Sequence, residues 1–250
     1  MKMDHRRFAG KTVIITGATS GIGAETAKEF AEEGAEVLLL GRSRERGALV
    51  EEQIREKGGK AVFLPCDVRS EESVVRIKQE IEKSYSGIDV LFNNAGVFMT
   101  SALQDITSED WKKSFETNVD GVLYMTKHFM EMLQKNRGTI INNASVSGLQ
   151  TWNSGTKNYI YGASKAAVIK LSKLCALNYA EHVRVNCICP GIIDTEIFTN
   201  RDFSRFDGVI PMGYIGKPEA VAGVVLFLAS EEASYITGAV IPIDGGMSLK

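Results

Sequence analysis

Apolar and polar positions alternate in two rhythms along this chain. Short runs that are apolar nearly throughout, such as Val13-Ile14-Ile15 and Val37-Leu38-Leu39-Leu40, are separated by longer stretches whose apolar residues recur at a helical period. The short runs predict strands at Thr12–Thr16, Glu36–Leu40, Ala61–Pro65, Val90–Asn93, Thr139–Asn143, Val183–Ile188 and Ala239–Ile243. The longer stretches predict helices at Gly23–Glu33, Arg44–Lys57, Glu71–Ser84, Ser108–Gln134, Tyr161–Ala180 and Pro218–Ser230, several of them opening with Ser or Asp near the N-cap. Strands that are apolar on both faces need helices on both faces, and strands joined by helical crossovers run parallel. The pattern therefore predicts a single α/β domain over residues 1–250, a doubly wound parallel sheet of seven strands, with no repeat and no low-complexity linker.

Charge and composition narrow the partners. With 29 basic and 31 acidic residues interspersed over 250 positions, the formal charge is −2, and no basic tract offers itself to nucleic acid. No apolar run reaches the ~20 residues that span a bilayer, and the polar start resembles no signal peptide. A cytoplasmic protein with a small-molecule partner is expected. Cys66, Cys175, Cys187 and Cys189 form neither a Cys-x-x-Cys nor a Cys/His cluster, so buried reduced thiols are expected and no metal site.

The stretch Thr16–Gly23, TGATSGIG, lies between the first strand and the first helix. Gly17 can take the backbone angles of a sharp turn, and Gly21 and Gly23 allow close backbone approach and tight helix packing. With Thr19, Ser20 and Ile22 they would present free N–H groups and the positive end of the helix to an anion such as a pyrophosphate. The alternative is an ordinary glycine-rich turn. The G-x3-G-x-G spacing departs from G-x-G-x-x-G and lacks the Gly-Lys-Ser/Thr of a triphosphate loop; within the strand–turn–helix context a dinucleotide is favoured. At the end of the second strand, where an acid would bind a ribose diol, the chain has Gly41 followed by Arg42, with Arg44 and Arg46 beyond. Guanidinium suits a 2′-phosphate, so NADP(H) is favoured and NAD(H) stays possible. A solvated helix start is the competing account of these arginines. Asp67, beside Val68 after the third strand, is placed to accept from an adenine amino group or to cap a helix.

In YGASK, Tyr161 and Lys165 stand four apart on one helical face. A phenol of pKa about 10 is a poor base near neutrality, and a neighbouring ammonium, with the positive ring of an oxidised nicotinamide, would lower it. Alone the pair is a common surface motif. Its company changes that. TGATSGIG, NNAG (Asn93–Gly96), NVDG (Asn118–Gly121), NASVSG (Asn143–Gly148), YGASK, PGIIDT (Pro190–Thr195) and ITGAVIPIDGG occur in the order and spacing of the short-chain dehydrogenase/reductase family, which the chain resembles over nearly its whole length.

That resemblance implies a Rossmann-type sheet of order 3-2-1-4-5-6-7, hydride transfer between a secondary alcohol and a ketone, and a homotetramer packed through the fourth-strand and Tyr161 helices. It implies Tyr161 as the general acid/base, Lys165 as the residue that lowers its pKa and holds the nicotinamide ribose, and Ser145 as the hydroxyl on the substrate oxygen. Asn118 would hold a water in a proton relay from Lys165. Asn94, Ala95 and Gly96 would wall the adenosine ribose. Thr195 and the Ile193 backbone, in the turn after Pro190 and Gly191, would fix the carboxamide. The family serine usually lies nearer its tyrosine, so a loop three residues longer than usual separates Ser145 from Tyr161, and Ser147 competes with Ser145. The connection into the sixth strand is one residue short.

Specificity is expected from variable loops at about 148–160 and 192–215. These carry, with Phe98 and Met99 after the fourth strand, Trp152, Tyr159, Phe198, Phe203, Phe206 and Met212. Such residues suit an apolar pocket, and Phe98, Trp152, Tyr159 and Phe198 are its candidates. A hydrophobic cyclic ketone or alcohol, such as a steroid or bile acid, is the favoured substrate. A 3-oxoacyl chain on acyl-carrier protein is the alternative, and a non-catalytic cofactor-binding regulator is the reading from a different class.

Overall fold

Neighbouring residues of a strand face opposite sides of its sheet, and in this chain both sides are buried. In β1 (Thr12–Thr16), Val13 and Ile15 join one apolar cluster with Phe30, Val37, Leu39 and Phe92, whereas Ile14 joins a second with Leu38, Leu40, Leu91 and Phe129. Each such fully buried side chain stabilises the fold by about 1.5–3 kcal/mol. The computed structural model describes residues 6–150, 157–196 and 208–249. Within them β1, β2 (Glu36–Gly41), β3 (Lys60–Pro65), β4 (Val90–Asn93), β5 (Thr139–Asn143), β6 (Arg184–Pro190) and β7 (Val240–Ile243) form one parallel sheet in the order β3-β2-β1-β4-β5-β6-β7. Helices α1 (Gly21–Glu32), α2 (Arg44–Glu56) and α8 (Pro218–Ala229) feed the first cluster. Helices α3 (Glu71–Glu82) and α5 (Gly121–Asn136), with the end of α7 (Tyr159–Tyr179), feed the second.

Three differences from the sequence expectation bear on the site. The helix expected over Ser108–Gln134 is interrupted: α4 (Ser108–Phe115) passes through a π-turn at Glu116–Asp120 before α5 begins. Such bulges re-aim side chains. This one contains Asn118, which it delivers to the segment after β4. A four-residue helix, α6 (Val146–Leu149), follows β5 and is too short for a period to announce. α1 opens at Gly21, which makes that glycine its first residue.

The chain lays β2 and β3 on one side of β1, then places β4 on the other. Loops leaving β1 and β4 therefore diverge, and a crevice opens at the carboxyl ends of the strands. Its floor is braced by buried amides. Asn93 Nδ2 donates to Asn142 Oδ1 (2.8 Å), and Asn142 Nδ2 donates to Ser172 Oγ (2.9 Å), linking β4, β5 and α7. Ser172→Ala leaves the Asn142 amide short of an acceptor and should destabilise the protein by ~1–3 kcal/mol in urea unfolding, with the slope of the transition unchanged.

Candidate active site

The turn after β1 is packed backbone on backbone. Gly17 has φ +62°, and a Cβ there would lie 2.9 Å from Ala95 Cα. A Cβ on Gly23 would lie 2.3 Å from the Gly17 oxygen. Asn94 holds the turn in place, its Nδ2 donating to the oxygens of Thr16 (3.1 Å) and Gly17 (3.2 Å), while its Oδ1 accepts from Asn143 Nδ2 (2.9 Å). Ser20, at the N-cap of α1, makes no side-chain bond back to the helix. The first residues of α1 border a cavity of roughly 950 Å³ that also reaches β2, the segment after β4, α6, α7 and the turn after β6. A helix N-terminus with an uncommitted cap, bordering a cavity through bare glycine, fits a pyrophosphate.

At one end the cavity is basic. Gly41, Arg42, Arg46, Asp67, Val68 and Arg69 line it. Arg69 grips Asp67, with Nη2 2.6 Å from Oδ2 and Nε 3.0 Å from Oδ1. These hydrogen bonds hold the Asp67 carboxyl below its ordinary range, against burial, and the Arg42 charge adds to the effect. Asp67, which the sequence placed either to accept from an adenine amino group or to cap a helix, is thus already engaged by Arg69. A Cβ on Gly41 would lie 2.6 Å from Thr19 Cγ2, so an acidic side chain has no room there unless Thr19 turns away.

At the other end Ser145, Tyr161 and Lys165 come together. Ser145 caps α6, accepting from Ser147 N–H (3.2 Å), and its hydroxyl is near enough to the Tyr161 phenol to oppose the effect of burial on it. Lys165, almost fully buried, donates to the Asn143 oxygen (2.7 Å), and its Nζ lies 5.7 Å from the Tyr161 ring centroid. Gly148 makes the assembly possible: a Cβ there would lie 2.6 Å from the Lys165 carbonyl carbon and 2.7 Å from Ala166 N, so α6 touches the α7 backbone directly. Ser147 also borders the cavity, but its Oγ faces Asn158 Nδ2 at 3.5 Å.

Thr19, Ser20, Gly21, Ile22, Ala95, Gly96, Pro190, Gly191, Ile193 and Thr195 all border the cavity. Asn118 sits behind that wall, fully buried, with Oδ1 accepting from Val97 N–H (2.8 Å) and Nδ2 donating to the Val97 oxygen (3.0 Å) and to Ser164 Oγ (3.0 Å). A Cβ on Gly96 would meet Asn118 Oδ1 at 3.3 Å and Lys165 Nζ at 3.4 Å, so the bare glycine leaves a polar gap between them. Gly23 packs behind the cavity as well. Phe98 lies edge-on to Tyr161, centroids 4.9 Å apart. Tyr159 is not brought in: it lies two residues before Tyr161, roughly 200° round the helix, and is exposed. Trp152, Phe198, Phe203 and Phe206 lie outside the described residues. The structure adds Lys157, Val209, Met247 and Glu196 to the lining, for which no motif gave a signal.

A family model described as enoyl-(acyl carrier protein) reductase matches residues 17–248. The chain belongs to the short-chain dehydrogenase/reductase family. Meso-2,3-butanediol dehydrogenase of Serratia marcescens is 36% identical over 96% of this chain and 95% of its own length. 3beta-Hydroxysteroid dehydrogenase 1 of Eggerthella lenta is 38% identical over 96% of this chain and 94% of its own. For the 3-oxoacyl-[acyl-carrier-protein] reductase FabG of Aquifex aeolicus the figures are 38%, 96% and 98%. The solved Pseudomonas aeruginosa RhlG/NADP active-site complex superposes with a TM-score of 0.91 at 31% identity, over 98% of this chain and 99% of that one.

As a short-chain dehydrogenase/reductase the protein acts on CH–OH groups with a nicotinamide cofactor, which supplies or accepts hydride when bound. Burial pushes the Tyr161 phenol up to about 12, opposed by the Ser145 hydrogen bond, and pushes Lys165 down to about 8. Burial thus dominates the phenol, the expected lowering by Lys165 does not enter, and Tyr161 is held protonated in the protein alone.

Two measurements follow from this geometry. Tyr161→Phe should lower kcat by at least ~10² with little change in cofactor affinity; Ser145→Ala should also lose most activity while Ser147→Ala keeps it, and the reverse order would exchange the serines. Because the phenol pKa is raised, the ionised form is scarce below it and grows about tenfold per pH unit. Alcohol oxidation should thus accelerate as pH rises from 6 to 9, whereas ketone reduction, which uses the protonated phenol, should not.

Proposed function

We propose that the protein is an NADP(H)-dependent oxidoreductase interconverting a secondary alcohol and a ketone on a hydrophobic, cyclic substrate of the steroid or bile-acid type. The observation that carries the reading is the polarity of one cavity: arginines at the β2 end, and Tyr161, Ser145 and Lys165 at the other, beside apolar Phe98, Val146, Ile192, Val209 and Met247. Reduction places the carbonyl oxygen between the Ser145 and Tyr161 hydroxyls. Tyr161 delivers its proton as charge grows on that oxygen, and Ser145 stabilises the same charge. Lys165 stays fixed against the Asn143 carbonyl beneath them.

The 2′-phosphate reading is supported by Arg42, which lines the cavity and forms no ion pair among the described residues, and by the crowding at Gly41 that disfavours an acid. The steroid reading is supported by the apolar mouth and by the 38% identity to the Eggerthella lenta enzyme. A 3-oxoacyl thioester is the second reading, favoured by equal identity to FabG. Four free thiols support a reducing compartment such as the cytoplasm. Leu123 on α5 and Leu174 and Leu177 on α7, all exposed, support a homotetramer, which light scattering would test.

Arg42→Leu should weaken NADPH binding by ~1.5–3 kcal/mol, ten- to a hundredfold, and leave NADH nearly unchanged. Equal weakening of both would make the arginine structural. A panel of ketosteroids, oxo-bile acids and an acetoacetyl thioester, compared by kcat/KM with NADPH, decides the substrate: highest kcat/KM on the thioester selects the second reading, and cofactor binding without turnover of any member selects the regulator.

A further inference from the structure

Arg46, in the first turn of α2, and Glu196, in the segment after β6, are 150 positions apart, yet Arg46 Nη1 donates to Glu196 Oε2 at 2.8 Å. Both side chains border the cavity. Thr195, the residue before Glu196, packs on the N-terminus of α1: a Cβ on Gly21 would meet Thr195 Cγ2 at 3.2 Å. The pair thus joins the arginine end of the crevice to the start of the second variable loop. The two side chains are 59% and 61% exposed, so solvent screens the pair and it adds little to the stability of the fold. Its position gives it more consequence than its energy.

Of the three arginines lining this end, Arg69 is bound to Asp67 and Arg46 to Glu196. We propose that Glu196 is a selectivity residue for the cofactor: it competes with the 2′-phosphate for the Arg46 guanidinium. This rests on the assignment of the arginine end to the phosphate-bearing ribose. A phosphate that draws Arg46 away leaves the Glu196 carboxylate without its cation, next to a helix N-terminus that an anion already claims. A cofactor with a free ribose diol leaves the ion pair closed. Glu196 therefore works against the phosphorylated cofactor and sets the discrimination that Arg42 and Arg46 would otherwise make larger.

Binding of NADPH and NADH to the full chain, followed by fluorescence for wild type, Glu196→Gln, Arg46→Met and the double variant, tests this. Glu196→Gln should bind NADPH about two- to fivefold tighter at low salt, leave NADH within experimental error, and lose its gain both in 1 M salt and in the Arg46→Met background. Unchanged NADPH affinity, an equal gain for both cofactors, or a gain that persists without Arg46 overturns the proposal. Failure of the cofactor assignment reads differently: the wild type then prefers NADH and Arg42→Leu spares NADPH, whatever Glu196→Gln does.

Discussion

The active arrangement depends on main chain touching main chain. Gly17 lies against Ala95, Gly23 against the Gly17 oxygen, and Gly148 against the Lys165–Ala166 peptide, each at a spacing that a single Cβ would break. The first two contacts seal the turn after β1 onto β4 and leave the N-terminus of α1 bordering the crevice. The third sets α6 on α7 and so fixes the distance between a hydroxyl at the start of one helix and a phenol at the start of the other. Side-chain hydrogen bonds then lock what the backbone contacts permit. Asn94 clasps the glycine turn, Asn118 clasps Val97, and Asn93 and Asn142 brace the sheet beneath.

How much of this the sequence disclosed depends on the range of the contact. Strand positions were legible because continuous apolar runs have one solution in a covered parallel sheet, and β1, β4 and β5 match their expected bounds. The glycine turn was legible because positive φ and missing Cβ atoms leave few other residue choices. The π-turn at Glu116–Asp120 was not, since one inserted residue shifts the apolar phase by only about one position and leaves the helix amphipathic on either side. Tyr159 looked like a pocket residue from its place in the first variable loop, and helical geometry turns it away. The Arg46–Glu196 contact had no signal, because neither residue belongs to a period or a motif and the chain between them is most of the protein.

Burial was the quantity the sequence reading could not weigh. Four-residue spacing placed a cation beside a phenol, which by charge alone lowers the phenol's pKa. The structure buries Lys165 so fully that its own ionisation is suppressed to about 8, and burial moves Tyr161 the opposite way, to about 12. Both groups are displaced toward their neutral forms by the same low-polarity surroundings. A protonated phenol next to a serine hydroxyl is a hydrogen-bond donor pair, the form required by a carbonyl oxygen gaining negative charge.

The two ends of the cavity thus use opposite electrostatic strategies. At the Tyr161 end the titratable groups are buried, partly neutralised and held by hydrogen bonds to neutral partners, so added salt reaches them weakly. At the Arg42 end the charged side chains are largely exposed and two of the three arginines pair with carboxylates, where screening over about 8 Å at physiological ionic strength governs the balance. A change of one charge at the exposed end leaves Tyr161 and the buried Ser145 and Lys165 untouched. Conversely, any change that wets the α6–α7 contact alters the chemistry for every substrate alike. That division separates the exposed Arg46–Glu196 pair from the α6–α7 contact, where any Cβ on Gly148 would strike the Lys165–Ala166 peptide.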